Sequence, residues 1–245
     1  MTIENDSDLE ALRRVGAIVR DVLAGMGDHV RPGITTAELD AIGKRELMRA
    51  GARSAPRLAY DFPGATCISV GDEAAHGVPG ERVLHEGDLV NIDVSAEKDG
   101  YWADTGASFA VGKISSKQQK LCTTTRAALR KALYAARAGK RLSDIGRVVE
   151  REARRGGYRV VPELAGHGVG RFIHEEPSVA NYYDPHNKAR LHEGMVIAIE
   201  PFLTTGNGNI ITDADGWTLK MADGAAVAQY EHTVVITRGK PIVLT

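Results

Sequence analysis

Apolar residues recur along this chain with two different periods. Leu9, Leu12, Val19, Val22, Leu23 and Met26 fall at helical spacing and predict an opening helix, with Gly25 and Gly27 as its stop. Ser7-Asp8-Leu9-Glu10 reads as the capping box of that helix, the Ser hydroxyl taking a free amide and the Glu reaching back. A second helix is predicted from Thr36 to about Ala50, ended by Gly51. Ser69-Val70-Gly71-Asp72-Glu73 reads as a strand leaving into a loop, and Gly77-Val78-Pro79-Gly80 as loop chemistry. Val90, Ile92 and Val94 then alternate with Asn91, Asp93 and Ser95, giving a strand with one apolar and one polar face. Residues 115–138 and 142–155 are predicted helices, the first with Leu121, Leu129, Leu133 and Ala136 turned inward. Strands are expected around Val160, over 195–200 and over 230–236. Paired helices followed by strands, twice over, predict an α+β fold with helices covering one sheet face.

The two halves resemble each other. Leu84-His85-Glu86-Gly87-Asp88-Leu89-Val90-Asn91-Ile92-Asp93 aligns without gaps on Leu191-His192-Glu193-Gly194-Met195-Val196-Ile197-Ala198-Ile199-Glu200, so Asp93 falls on Glu200. Upstream, Gly33 to Gly51 can be laid on Gly139 to Gly157, with Arg45-Glu46 meeting Arg151-Glu152. A period of half the chain indicates a duplication and not a solenoid. Each half would deliver an acid from a strand end to a shared centre.

Lys98-Asp99-Gly100 supplies a tight turn, and Tyr101-Trp102-Ala103-Asp104 begins the returning strand. A two-residue loop at Lys98-Asp99 sets Asp93 directly across from Asp104. A loop at Asp99-Gly100 sets them one diagonal step apart. Both registers keep the two acids on one face, within reach of one ion.

Composition narrows the class. The chain has 245 residues, 43% hydrophobic and 26% charged, which is ordinary globular material. The net charge of -1 gives no basic excess to suggest nucleic acid, DNA included, and no polybasic run to suggest an anionic membrane surface. Cys67 and Cys122 are the only cysteines, so there is no disulfide framework and a reducing compartment is expected. The first residues are too charged for a signal peptide, and no apolar run spans a bilayer. A cytoplasmic protein is the expectation.

The second half also holds His167, flanked by glycines in Gly166-His167-Gly168-Val169-Gly170, and Glu231, inside an apparent central strand. Glycine neighbours allow close approach, and imidazole is a common transition-metal ligand. Asp93, Asp104, His167, Glu200 and Glu231 together carry four negative charges, which two divalent ions would cancel. Any one of these acids alone would be read as a solvated residue; the joint pattern carries the reading. His76 and His174, in Gly/Pro-bounded loop regions, are either surface histidines or groups able to hydrogen-bond a peptide.

At these residues the chain resembles the type I methionine aminopeptidases. The likeness rests on Cys67-Ile68-Ser69-Val70, Ala75-His76-Gly77-Val78-Pro79, Asn91-Ile92-Asp93-Val94, Asp99-Gly100 through Asp104-Thr105, Gly166-His167-Gly168-Val169-Gly170, His174-Glu175-Glu176-Pro177, Ile199-Glu200-Pro201 and Gln229-Tyr230-Glu231-His232-Thr233. It runs from about Asp8 onward. The resemblance implies the pita-bread fold: pseudo-twofold helix/strand halves, about 1–112 and 113–245, around a curved antiparallel sheet, as one catalytic domain over 1–245. It implies two divalent ions (Co, Mn, Fe or Zn), one on Asp93, the other on His167 and Glu200, with Asp104 and Glu231 bridging. It further implies that water activated there attacks the first peptide carbonyl, Glu200 taking a proton. His174 would stabilise the oxyanion, and His76 would contact the substrate backbone. Phe62 and Trp217 would wall a methionine pocket, with Tyr60, Cys67 and Ile173 nearby.

Ala75 and Ile173 stand where many bacterial members have Cys and Phe, and neither change touches the metal set. No zinc-binding N-terminal extension is apparent. The implied partner is a peptide or nascent-protein N-terminus, with transient ribosome contact, and the expected state is a monomer. The nearest rival is an Xaa-Pro-cleaving peptidase of the same fold, which would need an additional N-terminal domain. A non-catalytic scaffold would have lost metal ligands, and all five remain here.

Overall fold

The computed structural model describes all residues, Met1–Thr245. Five helices carry the apolar stripes: α1 (Asp6–Gly27), α2 (Thr36–Arg49), α3 (Ala55–Tyr60), α4 (Ser116–Ala135) and α5 (Ser143–Gly156). Every strand pairing among its sheets is antiparallel. No helix is long and apolar enough to cross a membrane.

The start of α1 differs from the sequence expectation. Its N-cap is Asn5, whose side chain accepts the Asp8 amide at 3.0 Å, and Ser7 does not cap. Asp8 is buried and used elsewhere. It accepts from the Tyr101 hydroxyl at 2.6 Å and from Arg171 at 2.9 Å, which hold its carboxyl below the usual range, the Tyr101 bond foremost. The cap lies two residues earlier than the Ser7-Glu10 pattern indicates, and the Ser7 hydroxyl itself donates to the Asn5 side chain. The full capping boxes belong instead to Thr35–Glu38 at α2 and Ser115–Gln118 at α4.

The first half is built on a long hairpin, Leu89–Lys98 paired with Tyr101–Ala110. Its turn residues Asp99 and Gly100 both have positive φ, 53° and 82°, as a two-residue turn matched to strand twist requires. Val90, Ile92, Val94 and Ala96 pack with α1 and α2 residues such as Val15, Val19, Met26 and Leu39. The opposite face, bearing Asn91, Asp93, Ser95 and Glu97, is polar but shut off from solvent, with only Asp93 partly open. It faces the other half of the molecule.

The second half places Val196–Ile199 between His232–Val235 and Ala165–Gly168 in a five-stranded sheet. Ile197, Ile199, Tyr230 and Val234 turn toward Leu121, Leu129, Ile145 and Val149 of α4 and α5. Val196 and Val235 turn the other way, and by strand alternation so do Glu200 and Glu231.

The duplication is visible in matched hydrogen bonds. The Gly33 amide donates to Leu84 O and the Leu84 amide to Ile34 O. Equivalently, Gly139 donates to Leu191 O and Leu191 to Lys140 O, all at 2.8–2.9 Å. Gly33 and Gly139 adopt φ of 90° and 85°, left-handed values that favour glycine at both places. Single bridges Thr35–Val83 and Arg141–Arg190 fall at corresponding sites. The halves are stitched where Tyr101–Ala110 meets the segment of Tyr230 and Glu231, which lies between strands Val227–Gln229 and His232–Val235 and not within one continuous strand over 230–236 as the sequence predicts. There the Glu231 amide donates to Gly106 O at 2.9 Å, and Ala107 bridges Tyr230.

Candidate metal centre

The seam gathers the acids. Ser95 lies opposite Asp104 and Gly106 opposite Asp93, so Asp93 and Asp104 stand one diagonal step apart on the inner face. Thr233 pins Asp104 from the other half: its hydroxyl accepts the Asp104 amide at 3.0 Å and donates to the Asp104 carbonyl at 2.8 Å. Thr105 likewise donates to the Glu231 carbonyl at 3.1 Å. A Cβ at Gly106 would lie 2.6 Å from the Gln229 side-chain oxygen, so a larger residue there would displace the side chain that donates to Glu231.

His167 enters between glycines for a steric reason. A Cβ at Gly166 would stand 2.3 Å from the Ala198 carbonyl oxygen, and one at Gly168 would stand 2.2 Å from that of Glu176. The ring's Nδ1 faces the Gly168 carbonyl at 3.0 Å, which assigns the proton to Nδ1. Nε2 then keeps its lone pair and points at Glu200 (3.4 Å) and Asp104 (3.6 Å). Candidate ligand atoms of Asp104, His167 and Glu231 all lie within 4.8 Å of one another.

Asp104, Glu200 and Glu231 are buried, and no Lys or Arg pairs with them or with Asp93. Burial is the main cause raising all four carboxyl pKa values. Asp104 rises to about 6, and Asp93, Glu200 and Glu231 rise well above the ordinary range, each pushed further by the neighbouring acids. Asp104 Oδ1 and Glu231 Oε1 are buried without any hydrogen-bond partner. An orphaned buried oxygen costs about 1–3 kcal/mol. Two would consume much of a typical folding stability of about 5–15 kcal/mol. A cation of high charge density satisfies both oxygens and removes the repulsion, so the residues fit a metal.

His76 and His174 border this cluster. His76 holds a left-handed φ of 54°, an uncommon backbone state for a non-glycine residue. Its imidazole pKa is lowered, by desolvation first and by His167 second. His174 is lowered to about 4 for the same leading reason, so it is neutral at physiological pH. Its ring meets that of His167 edge-on at 4.4 Å. The turn leading to His174 is tied by Glu175, which accepts the Arg171 and Phe172 amides at 2.6 and 2.7 Å and pairs with the Met1 amino group.

A cavity of about 300 Å³ opens beside Asp93 and Asp104. It is lined by Tyr60, Phe62, Cys67, Ile173 and Trp217, with His76 and His174 at its rim. Phe62 and Trp217 meet edge-to-face at 5.3 Å. Burial keeps the Cys67 thiol protonated, its pKa pushed well up. The structure thus groups Asp104, His167 and Glu231, sets Glu200 against His167, and lines the adjoining cavity with Asp93, Asp104, His76, His174, Tyr60, Phe62, Cys67, Ile173 and Trp217. Reasoning from sequence missed Pro56 and Ser95 in the lining, and the buried chain from Asn91 to Gln229 (2.8 Å) to Glu231 (3.1 Å). The signal for Asn91 was its place on the polar face of the alternating strand.

A profile of metallopeptidase family M24 matches residues 10–238. The chain belongs to metallopeptidase family M24. Among M24-type relatives it is 49% identical to methionine aminopeptidase 2 of Bacillus subtilis, over 100% of this chain and 99% of that protein. It is 46% identical to a methionine aminopeptidase of Staphylococcus epidermidis, over 100% and 98% respectively. The crystal structure of methionine aminopeptidase from Thermotoga maritima superposes with a TM-score of 0.97 at 32% identity, covering 100% of this chain and 99% of that one. As an M24 metallopeptidase the chain is a metal-dependent hydrolase with the pita-bread fold, and its buried acids and histidine are a candidate metal group.

Proposed function

We propose that this M24 metallopeptidase removes the initiator methionine from new proteins and peptides whose second residue is small. Two divalent ions would sit among Asp93, Asp104, His167, Glu200 and Glu231. Asp93 would serve one ion, His167 and Glu200 the other, and Asp104 and Glu231 both. Full-length identity to methionine aminopeptidases supports the activity. The observation that carries the site is the pair of orphaned oxygens on Asp104 and Glu231, inside a cluster of acids with no protein cation. An Xaa-Pro specificity is not favoured, since these relatives match over the whole chain and bear the methionine name.

Bound ions would supply Lewis acidity and lower the pKa of water near neutrality. The protein's groups do the rest. Phe62, Trp217, Tyr60, Cys67 and Ile173 enclose a flexible thioether side chain, for which sulfur against aromatic rings is favourable. His174, neutral and facing Tyr60 through Nδ1, has its Nε2 proton free to donate to a developing oxyanion. His76 at the cavity rim reaches the substrate backbone next to the scissile bond. Glu200, buried beside His167, takes the proton from the attacking water. The same reading includes a nascent-chain substrate, transient ribosome contact, a cytoplasmic setting and a monomer.

The test is hydrolysis of Met-Ala-Ser and Ala-Pro peptides by protein reloaded with each of Mn, Fe, Co and Zn. Release of methionine from the first peptide alone, with metal bound in a two-to-one ratio, is expected. Preference for Ala-Pro would overturn the specificity, and inactivity with every ion would favour a non-catalytic scaffold.

A further inference from the structure

Charge is distributed very unevenly over this molecule. Between Lys113 and Arg159, fourteen Lys and Arg stand against three Asp and Glu, a net charge of +11, while the other 198 residues carry -12. The whole-chain value of -1 hides this separation. A neutral total with separated poles still creates strong local potential, and such asymmetry points to a polyanionic partner.

The fold places the positive pole on one surface. Ile145, Gly146, Val149 and Ala153 bury one side of α5. Arg147, Arg151, Arg154 and Arg155 therefore share the opposite side, and all four are exposed. The three acids of this stretch lie along its flanks. Arg147 approaches Asp144 at 3.5 Å, Arg154 meets Glu150 at 2.6 Å, and Arg155 lies 3.9 Å from Glu152, which also pairs with Lys131. Exposed pairs of this kind are weak and exchange readily for a stronger anion. Arg151 makes no ion pair. α4 packs alongside and contributes Lys117, Lys120 and Arg130 without a single acid in its length.

An aromatic completes the surface. The Arg147 guanidinium lies 4.1 Å over the ring of Tyr183, and Tyr183 lines a shallow concavity with the four arginines and Glu150, the one acid among them. A planar cation on a half-buried aromatic ring, set in an arginine-rich hollow, matches what unpaired RNA bases and phosphates take. A bilayer is a poor fit. Interfacial helices insert large apolar side chains, and on these two helices only Tyr134 among such residues is exposed.

We propose that the outer face of α4 and α5 docks RNA, its arginine row gripping phosphates and the Arg147–Tyr183 pair stacking a loop base. This deepens the functional reading above, on which its biological sense rests. Ile197 and Ile199 point to α4 and α5 whereas Glu200 points inward, so RNA held here would leave the peptide cavity uncovered.

The test is fluorescence anisotropy of the metal-loaded protein with a labelled RNA hairpin across a salt series. Vesicles containing phosphatidylserine form a parallel arm. The expectation is salt-sensitive hairpin binding and no vesicle binding. Replacing Arg147, Arg151, Arg154 and Arg155 together by Gln should lower the magnitude of the log K against log salt slope by about 3, at roughly 0.7 for each phosphate no longer gripped. Tyr183→Ala should weaken hairpin binding. Methionine release from Met-Ala-Ser should stay unchanged in both variants, which also shows that they fold. Hairpin affinity unaltered by either variant, or vesicle binding in place of RNA binding, would overturn the proposal. Because RNA binding is read without peptide, its failure is separable from failure of the peptidase reading.

Discussion

The Tyr60 hydroxyl lies 2.6 Å from Nδ1 of His174, and the two rings stack with centroids 5.5 Å apart. With His174 neutral, the phenol donates to Nδ1 and fixes the tautomer that carries its proton on Nε2. Tyr60→Phe keeps the stacked ring and removes this donor. A hydrogen bond of about 0.5–1.5 kcal/mol corresponds to a loss of roughly 3–10-fold in kcat/KM, felt mainly in kcat. The check is a double-mutant cycle: in a His174→Ala background the same substitution should cost nothing. An undiminished penalty there would mean that Tyr60 acts on the methionine side chain alone.

Gln229 holds Glu231 through Nε2 and is itself held by Asn91. Replacing it with Met removes the donor at similar length. Metal affinity should drop by about 10–100-fold, as measured by calorimetric titration, while the far-ultraviolet circular dichroism stays unchanged. An affinity equal to that of the unmodified protein would remove Gln229 from any role in holding the ligand.

Removal of metal should make stability depend on pH in a defined sense. Unfolded carboxyls ionise near about 4. In the folded, metal-free protein Glu231 keeps its proton to a much higher pH, because burial and the neighbouring acids disfavour its charge. The folded state therefore binds more protons than the unfolded state above about pH 4, and its stability falls as pH rises from there. The lowered pKa values of His76, His174 and His232 act in the opposite direction over the range up to about 6.5, but that contribution is common to the wild type and a Glu231→Gln variant. The Tm difference between the metal-free forms should thus favour the variant at pH 7.5 and shrink toward pH 4. A constant difference would argue that Glu231 ionises normally.

Gly166→Ala should destabilise by about 1–3 kcal/mol, since its Cβ would collide with the backbone oxygen of Ala198. Displacement of His167 should accompany this loss, so metal affinity must fall along with Tm. A Tm shift with unaltered metal binding would mean that the strand yields away from the site.

Much of this was legible beforehand. Alternation along 90–95 and the turn within Lys98-Asp99-Gly100 placed Asp93 and Asp104 on one face in either of two registers, and the positive φ of Asp99 and Gly100 selects the diagonal one. The glycines around His167 announced close packing. What stayed hidden was long-range. Nothing near Asp8 foretells Tyr101 and Arg171, which make this first-turn acid a buried anchor. The polar face of the hairpin gave no sign of being enclosed, since a strand reads the same whether water or a second sheet lies over it. The charge separation vanishes in a whole-chain sum, because the basic stretch from Lys113 to Arg159 is cancelled by acids spread over the rest.

The stitch between Tyr101–Ala110 and the segment bearing Glu231 also joins the two parts of the proposed metal site. Asp93 and Asp104 belong to one lobe; His167, Glu200 and Glu231 belong to the other. A fragment limited to either lobe would be chemically mute, however well it folded. On the proposed ligand set, assembly of the two lobes is thus a logical conjunction, and hydrolytic power would switch on only at the moment of their joining.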